Sequence, residues 1–221
     1  INGSVTARGQ NGLPWGVLAS GCGSGGSIWI NCLTFAGSTG LVNADGGTGA
    51  VYPLPPSGGG GGGGRIAILY QSLGTPHSVR LSAVAGLGAY EIHTSEAGLE
   101  ARHGTIYLPD TNLLSGTIDN LGGRVVISNT TAWTTTSLMV TNTSLGFDDN
   151  FTLNVVGDLI VAGNNTMLLT GTNAPAMVGG ALRLQNGGRL ALQGNLTSGG
   201  DMALENGTNI LVARGNVLIN C

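Results

Sequence analysis

Near its C-terminal end the chain says almost the same thing twice. Residues 179–192, Gly-Gly-Ala-Leu-Arg-Leu-Gln-Asn-Gly-Gly-Arg-Leu-Ala-Leu, return 20 residues later as 199–212, Gly-Gly-Asp-Met-Ala-Leu-Glu-Asn-Gly-Thr-Asn-Ile-Leu-Val. Each copy reads as two short alternating strands joined by an Asn-Gly corner. A strand-only repeat of this length cannot bury its apolar face alone and must stack on its neighbours. Within each strand the apolar residues are two apart, as in Leu182/Leu184, Leu190/Leu192 and Leu159/Val161, so one face points inward and the other to solvent. A slip of one residue would turn the apolar set outward, which fixes the register.

The repeat extends through the C-terminal half. One expected inward column is Ile118, Leu138, Leu159, Leu182 and Met202; a second is Val125, Leu145, Met167, Leu190 and Ile210. The N-terminal half has a longer period. Val5, Val42, Leu81 and Ile118 form one series, and Ile28, Ile66 and Ile106 a companion, with steps of 37–40 residues. Such a period holds either two coils or one coil with a long loop. The surplus is rich in Gly and Pro, which favours the loop. The largest surplus is the 53–64 segment, Pro53-Leu54-Pro55-Pro56-Ser57 and then Gly58 to Gly64, read as a tolerated insertion at a corner, with a glycine flap packed closely against a neighbour as the alternative. Seven glycines without a following Lys are no phosphate loop.

The expected fold is therefore all-β: a single-stranded parallel β-helix (β-solenoid) over residues 1–221, right-handed by the usual crossover preference. Residues 1–123 form Gly-rich coils with long loops, and 124–221 form regular coils of about 20–23 residues. Roughly ten coils about 4.8 Å apart would make a rod on the order of 50 Å long.

Composition fits narrow stacked coils. Of 221 residues 41 are glycine, against a usual share of about 7%, while aromatics are only 5%. The core must come from Leu, Ile, Val and Ala. The charge of −3, with no lysine, gives nucleic acid no basic face to bind. No apolar run approaches the ~18 residues of a membrane-spanning helix, so no membrane insertion is expected. Abundant Gly, Thr, Ser and Asn with few charges point to an extracellular or cell-surface setting. Ile1 enters patterned sequence directly and Cys221 follows a strand-like stretch, so a processed chain or a piece of a longer one is expected.

Two asparagine columns mark the corners: Asn120, Asn142, Asn164, Asn186, Asn206, and Asn129, Asn150, Asn173, Asn195, Asn216. Asparagine tolerates left-handed turns and hydrogen-bonds locally. Asn2, Asn129, Asn142, Asn150, Asn164, Asn195 and Asn206 also read as Asn-x-Ser/Thr glycan acceptors. Structural corners and displayed glycans compete as explanations.

Cys22 and Cys32 flank the stretch Ile28–Ile30, and a disulfide between them would leave Cys221 for a bond between chains. Buried free thiols are the other reading. No spacing suits a metal, and no cofactor is expected. The densest titratable group, Glu91, His93, Glu96, Glu100 and His103, reads as a polar loop. Asp148-Asp149 is a weak calcium signal. Asp119, Asp158 and Asp201 are the carboxylates a glycosidase would need to oppose, and nothing in the sequence singles out a pair. Trp15, Trp29 and Trp133 and the four tyrosines are scattered; they suggest a sugar-stacking surface, but their columns are not expected to align.

The order of Gly23-Ser24-Gly25-Gly26-Ser27-Ile28-Trp29-Ile30, Val42-Asn43-Ala44-Asp45-Gly46-Gly47, Gly58–Gly64-Arg65-Ile66-Ala67-Ile68 and His103-Gly104-Thr105-Ile106-Tyr107-Leu108 resembles the glycine-rich repeat region of very large secreted, adhesin-like bacterial surface proteins. The resemblance covers roughly residues 20–125. It implies a parallel β-helix at the cell surface and brings no catalytic residues.

The expected function is structural rather than enzymatic. Open strand edges at Ile1, Val5, Val217 and Ile219 would let copies join head to tail into an extracellular fibre, with self as partner and glycans as a further one. The alternatives are a shaft segment of a large adhesin and, from another class, a β-helix polysaccharide lyase or glycoside hydrolase.

Overall fold

A computed structural model describes residues 1–15, 18–50, 58–88 and 102–220; of Pro14, Trp15, Leu18 and Ala19 it describes the backbone only. The described residues contain strands and no helix. The chain forms two compact units, residues 1–107 and 108–221.

The first unit holds β1 (Ser4–Thr6), β2 (Pro14–Trp15), β3 (Leu18–Ala19), β4 (Ser27–Gly37), β5 (Leu41–Asn43), β6 (Arg65–His77) and β7 (Arg80–Ser82), and β8 (Thr105–Leu108) begins in it. β1, β5 and β7 pair in parallel, aligning Val5, Val42 and Leu81. β4, β6 and β8 also pair in parallel, aligning Ile28, Ile66 and Ile106. The two expected series are thus superposed as far as Leu81 and Ile106, with one strand of each per long period. Val42, Leu81, Ile66 and Ile106 are all at most 1% exposed. Ile118, read as the next member, instead lies in the second unit beside Val140.

The surplus residues are not a loose insertion. After β1, β5 and β7 the chain runs out through residues 7–12, 44–50 and 83–88, and it returns through 20–26, 58–64 and 102–104. These segments bond to one another: Gly23 N–H donates to Gln10 O, Gly47 N–H to Gly23 O, Gly61 N–H to Gly47 O and Gly86 N–H to Gly61 O, at 2.8–3.0 Å. The backbones lie so close that a β-carbon at Gly61 would sit 2.1 Å from Gly23 O, and one at Gly86 1.8 Å from Gly47 O. Only glycine permits this approach. Gly58 to Gly64 is therefore part of a hydrogen-bonded glycine bundle, which corrects the reading of a tolerated corner insertion. Pro53 to Ser57 lie outside the described residues.

The second unit is more regular. Its strands come in sets of three: β9 (Thr117–Ile118), β10 (Leu121–Ile127), β11 (Ala132–Thr135); β12 (Leu138–Thr141), β13 (Ser144–Phe147), β14 (Thr152–Val155); β15 (Leu159–Ala162), β16 (Met167–Leu169), β17 (Ala176–Val178); β18 (Leu182–Gln185), β19 (Arg189–Leu192), β20 (Leu196–Ser198); β21 (Met202–Glu205), β22 (Ile210–Ala213), β23 (Val217–Ile219). Every third strand pairs in parallel, so three sheets grow side by side, one strand of each per repeat.

The first column is observed from Leu138 through Leu159 and Leu182 to Met202. Its first member is corrected, because Ile118 pairs with Val140. The second column is corrected by one residue at two places. Leu145 stacks on Leu168, Leu190 and Leu211, not on Met167 and Ile210. Burial gives the reason: Leu168 is 0% exposed, and Met167 points away from the core. Val125 pairs with Phe147, one inward position further along. The third sheet aligns Trp133, Leu153, Ala176, Leu196 and Val217 and was not foreseen. Trp133, Phe147 and Phe151 pack there, with ring centroids 6.2 and 5.1 Å apart.

Candidate functional site

Three surfaces of this fold can carry function: the open edges of the sheets, the asparagine corners, and the outer face of the β4–β6–β8 sheet.

β1 pairs only with β5, and β23 only with β20, among the described residues. One edge of each strand is therefore open. Inward positions change character at the last repeat. Leu184 is 0% exposed but its register partner Leu204 is 55% exposed; Leu196 is 1% exposed but Val217 is 41% exposed. Nothing described covers this face of the repeat. At the other edge Val5 is 40% exposed. Ile1 is held in place, its amino group donating to Ala36 O, and Ile219 is half-buried.

The corners use asparagine in two ways. Asn142, Asn150, Asn173, Asn186 and Asn206 have φ of 53–60°, the left-handed region. At the Asn164 corner Gly163 takes this role, with φ of 114°. Elsewhere the amide links repeats: Asn216 N–H donates to Asn195 Oδ1 at 3.0 Å, and Gly187 N–H to Asn209 Oδ1 at 3.0 Å. Ser38 N–H likewise donates to Asn2 Oδ1. All seven acceptor asparagines (Asn2, Asn129, Asn142, Asn150, Asn164, Asn195 and Asn206) are exposed.

The cysteines do not meet. Cys22 and Cys32 are free thiols; Cys22 Sγ lies 2.7 Å from Gly47 O in the glycine bundle, and Cys32 Sγ faces Leu69 O at 3.8 Å. Cys221 lies outside the described residues, as do Glu91, His93, Glu96 and Glu100. His103 Nδ1 accepts from Ala85 N–H. No group of three or more His, Cys, Asp or Glu among the described residues could hold a metal ion.

Asp148, Asp149 and Asp158 are engaged in joining repeats. Asp148 and Asp149 both face Arg124, and Asp149 Oδ1 accepts from Thr172 N–H at 2.8 Å. That backbone bond, helped by the Arg124 charge, holds the Asp149 carboxyl below its ordinary range. Asp158 Oδ1 accepts from Ala181 N–H on the next repeat. Asp158 and Asp201 precede the aligned residues Leu159 and Met202, with Ala181 in between. Asp119 follows Ile118 on another line.

The aromatic residues align after all, in one place. Trp29 pairs with Ala67, and Ala67 with Tyr107, so the two rings flank an alanine on the outer face of one sheet. Trp29 is 70% exposed, whereas Trp133 is core. This corrects the expectation of scattered aromatics.

The class that the fold defines is an all-β repeat protein made of parallel sheets of regularly stacked strands. No family model matches the chain, and no curated protein or solved structure is similar to it.

Proposed function

We propose that the stacked sheets close into a right-handed β-solenoid that serves as an extracellular structural element, and that copies join head to tail through their open strand edges. The observation that carries this reading is the last repeat. The same inward leucine column that is sealed at Leu184 stands open at Leu204, above a strand with one side unpaired. A coil laid on top would bury that column and pair those amides. Contacts of this heterologous kind do not close and so propagate. The exposure of all seven acceptor asparagines supports an extracellular setting. Asp149 and Asp158 bond across repeats, which supports a structural role for them.

Sedimentation velocity and electron microscopy over a range of concentrations test this. The reading expects elongated particles that lengthen with concentration, and a Val217→Lys/Leu218→Lys chain that does not elongate, since lysine on an edge strand opposes pairing. Isolated particles at every concentration would overturn self-assembly. They would leave the edges to adjoining coils of a longer polypeptide, as in the shaft of an adhesin.

A further inference from the structure

The slot between Trp29 and Tyr107 has four distinct walls. Along the stacking direction the backbones that carry the two aromatic side chains stand two strand spacings apart, about 9.6 Å, with Ala67 between them. Along β6 the neighbouring outward positions are Arg65 on one side and Leu69 on the other, each about 6.6 Å from Ala67. The groove is open to solvent, has a volume of about 490 Å³ and is lined mainly by apolar surface. Neither Trp29 nor Tyr107 takes part in a ring contact, and Arg65 makes no ion pair, among the described residues. Ser27 and Thr105, the rung partners of Arg65, add two hydroxyls beside the guanidinium.

These walls specify a ligand. It must be thin enough to stand between two rings: contact at 3.5–4.0 Å on each side takes about 7–8 Å of the gap. It needs apolar faces for the rings, hydroxyls for Ser27 and Thr105, and an anionic group on one edge for Arg65, which grips carboxylates in a bidentate fork. A pyranose ring bearing a carboxylate has all of these. Among the described residues β4 pairs only with β6, and a peptide seeking backbone pairing would use its other edge rather than this outward face.

We propose that this groove binds a uronate residue of an acidic polysaccharide. Trp29 and Tyr107 stack on its two faces, and Arg65 holds its carboxylate. Among the described residues no carboxylate lines the groove, and the charged group it presents is the Arg65 guanidinium. The groove lies wholly within the first unit, and the proposal stands whether or not copies stack.

Isothermal titration at low ionic strength with a galacturonate hexamer, and with its carboxyl-reduced galactose counterpart, tests it. The acidic hexamer is expected to bind at least tenfold more tightly than the neutral one. Arg65→Gln should erase that preference. Trp29→Ala and Ala67→Trp, which remove a wall and fill the slot, should weaken binding of the acidic hexamer at least tenfold. All three changes lie on the outer face, and circular dichroism should show the fold intact. No binding at millimolar acidic hexamer, equal affinity for the neutral one, or binding that Trp29→Ala or Ala67→Trp leaves unchanged would each overturn the proposal.

Discussion

At Asn142, Asn186 and Asn206 the backbone turns left-handed, and the side chain is chosen for that turn. Alanine there keeps the β-carbon strain of the left-handed turn but lacks the local hydrogen bonding by which asparagine offsets it, at about 1 kcal/mol per site. Each Asn→Ala change should lower Tm by about 2–4 °C, whereas Asn→Gly should leave it nearly unchanged; thermal unfolding followed by circular dichroism gives both. Glycine is needed for a different reason in the first unit. Gly61→Ala would drive a β-carbon into Gly23 O, whereas nothing lies within 4 Å of one at Gly59. The first change should unfold or strongly destabilise the unit, and the second should fall within about 0.5 kcal/mol of the parent. Asp149 ties the turn after β13 to Thr172, and its carboxyl titrates below the ordinary value. A depressed folded pKa stabilises above the unfolded value of about 3.9, and that share is lost as pH falls through the folded one. Asp149→Ala should therefore be less stable than the parent at pH 7, and the gap should narrow in acid below about pH 4.

Among the elements, one inward column predicts two opposite outcomes. Leu184 is fully enclosed, and Leu184→Ala should cost about 2–5 kcal/mol. Leu204 holds the same position one repeat on and is half open; Leu204→Ala should cost about 1 kcal/mol or less in dilute chains. Under the stacking proposal it should also raise the concentration at which assembly begins, which separates the two effects. Elements of the first two sheets were legible because Leu, Ile and Val alternate around a recurring asparagine corner. The third sheet was not. Its inward column mixes Trp133, Leu153, Ala176, Leu196 and Val217, and its strands are three or four residues long. The second asparagine column, read as corners, held the missing signal: an apolar residue follows each of those asparagines within four positions. The aromatic slot was also within reach. The step that superposes Ile28, Ile66 and Ile106 carries the next residue with it, so Trp29, Ala67 and Tyr107 had to align. Mutual pairing of the glycine segments was not readable, because glycine has no side chain whose pattern could show which backbone it faces.

For the molecule as a whole, everything depends on successive repeats lying on one another in parallel register. Stability in such an array is a sum of neighbour contacts, and an edge left open by one repeat can accept another. Spin labels on one outward line of the second unit measure this directly. Thr134, Asn154, Met177, Thr197 and Leu218 are register neighbours in consecutive strands. With Cys22, Cys32 and Cys221 replaced by serine, one cysteine label at Thr134 is paired in turn with one at Met177, Thr197 or Leu218. Backbone separations of about 9.6, 14 and 19 Å, rising by one strand spacing each time, are the expected result. Separations that are broad, or that do not rise in this order, would contradict the stacked architecture and the assembly built on it.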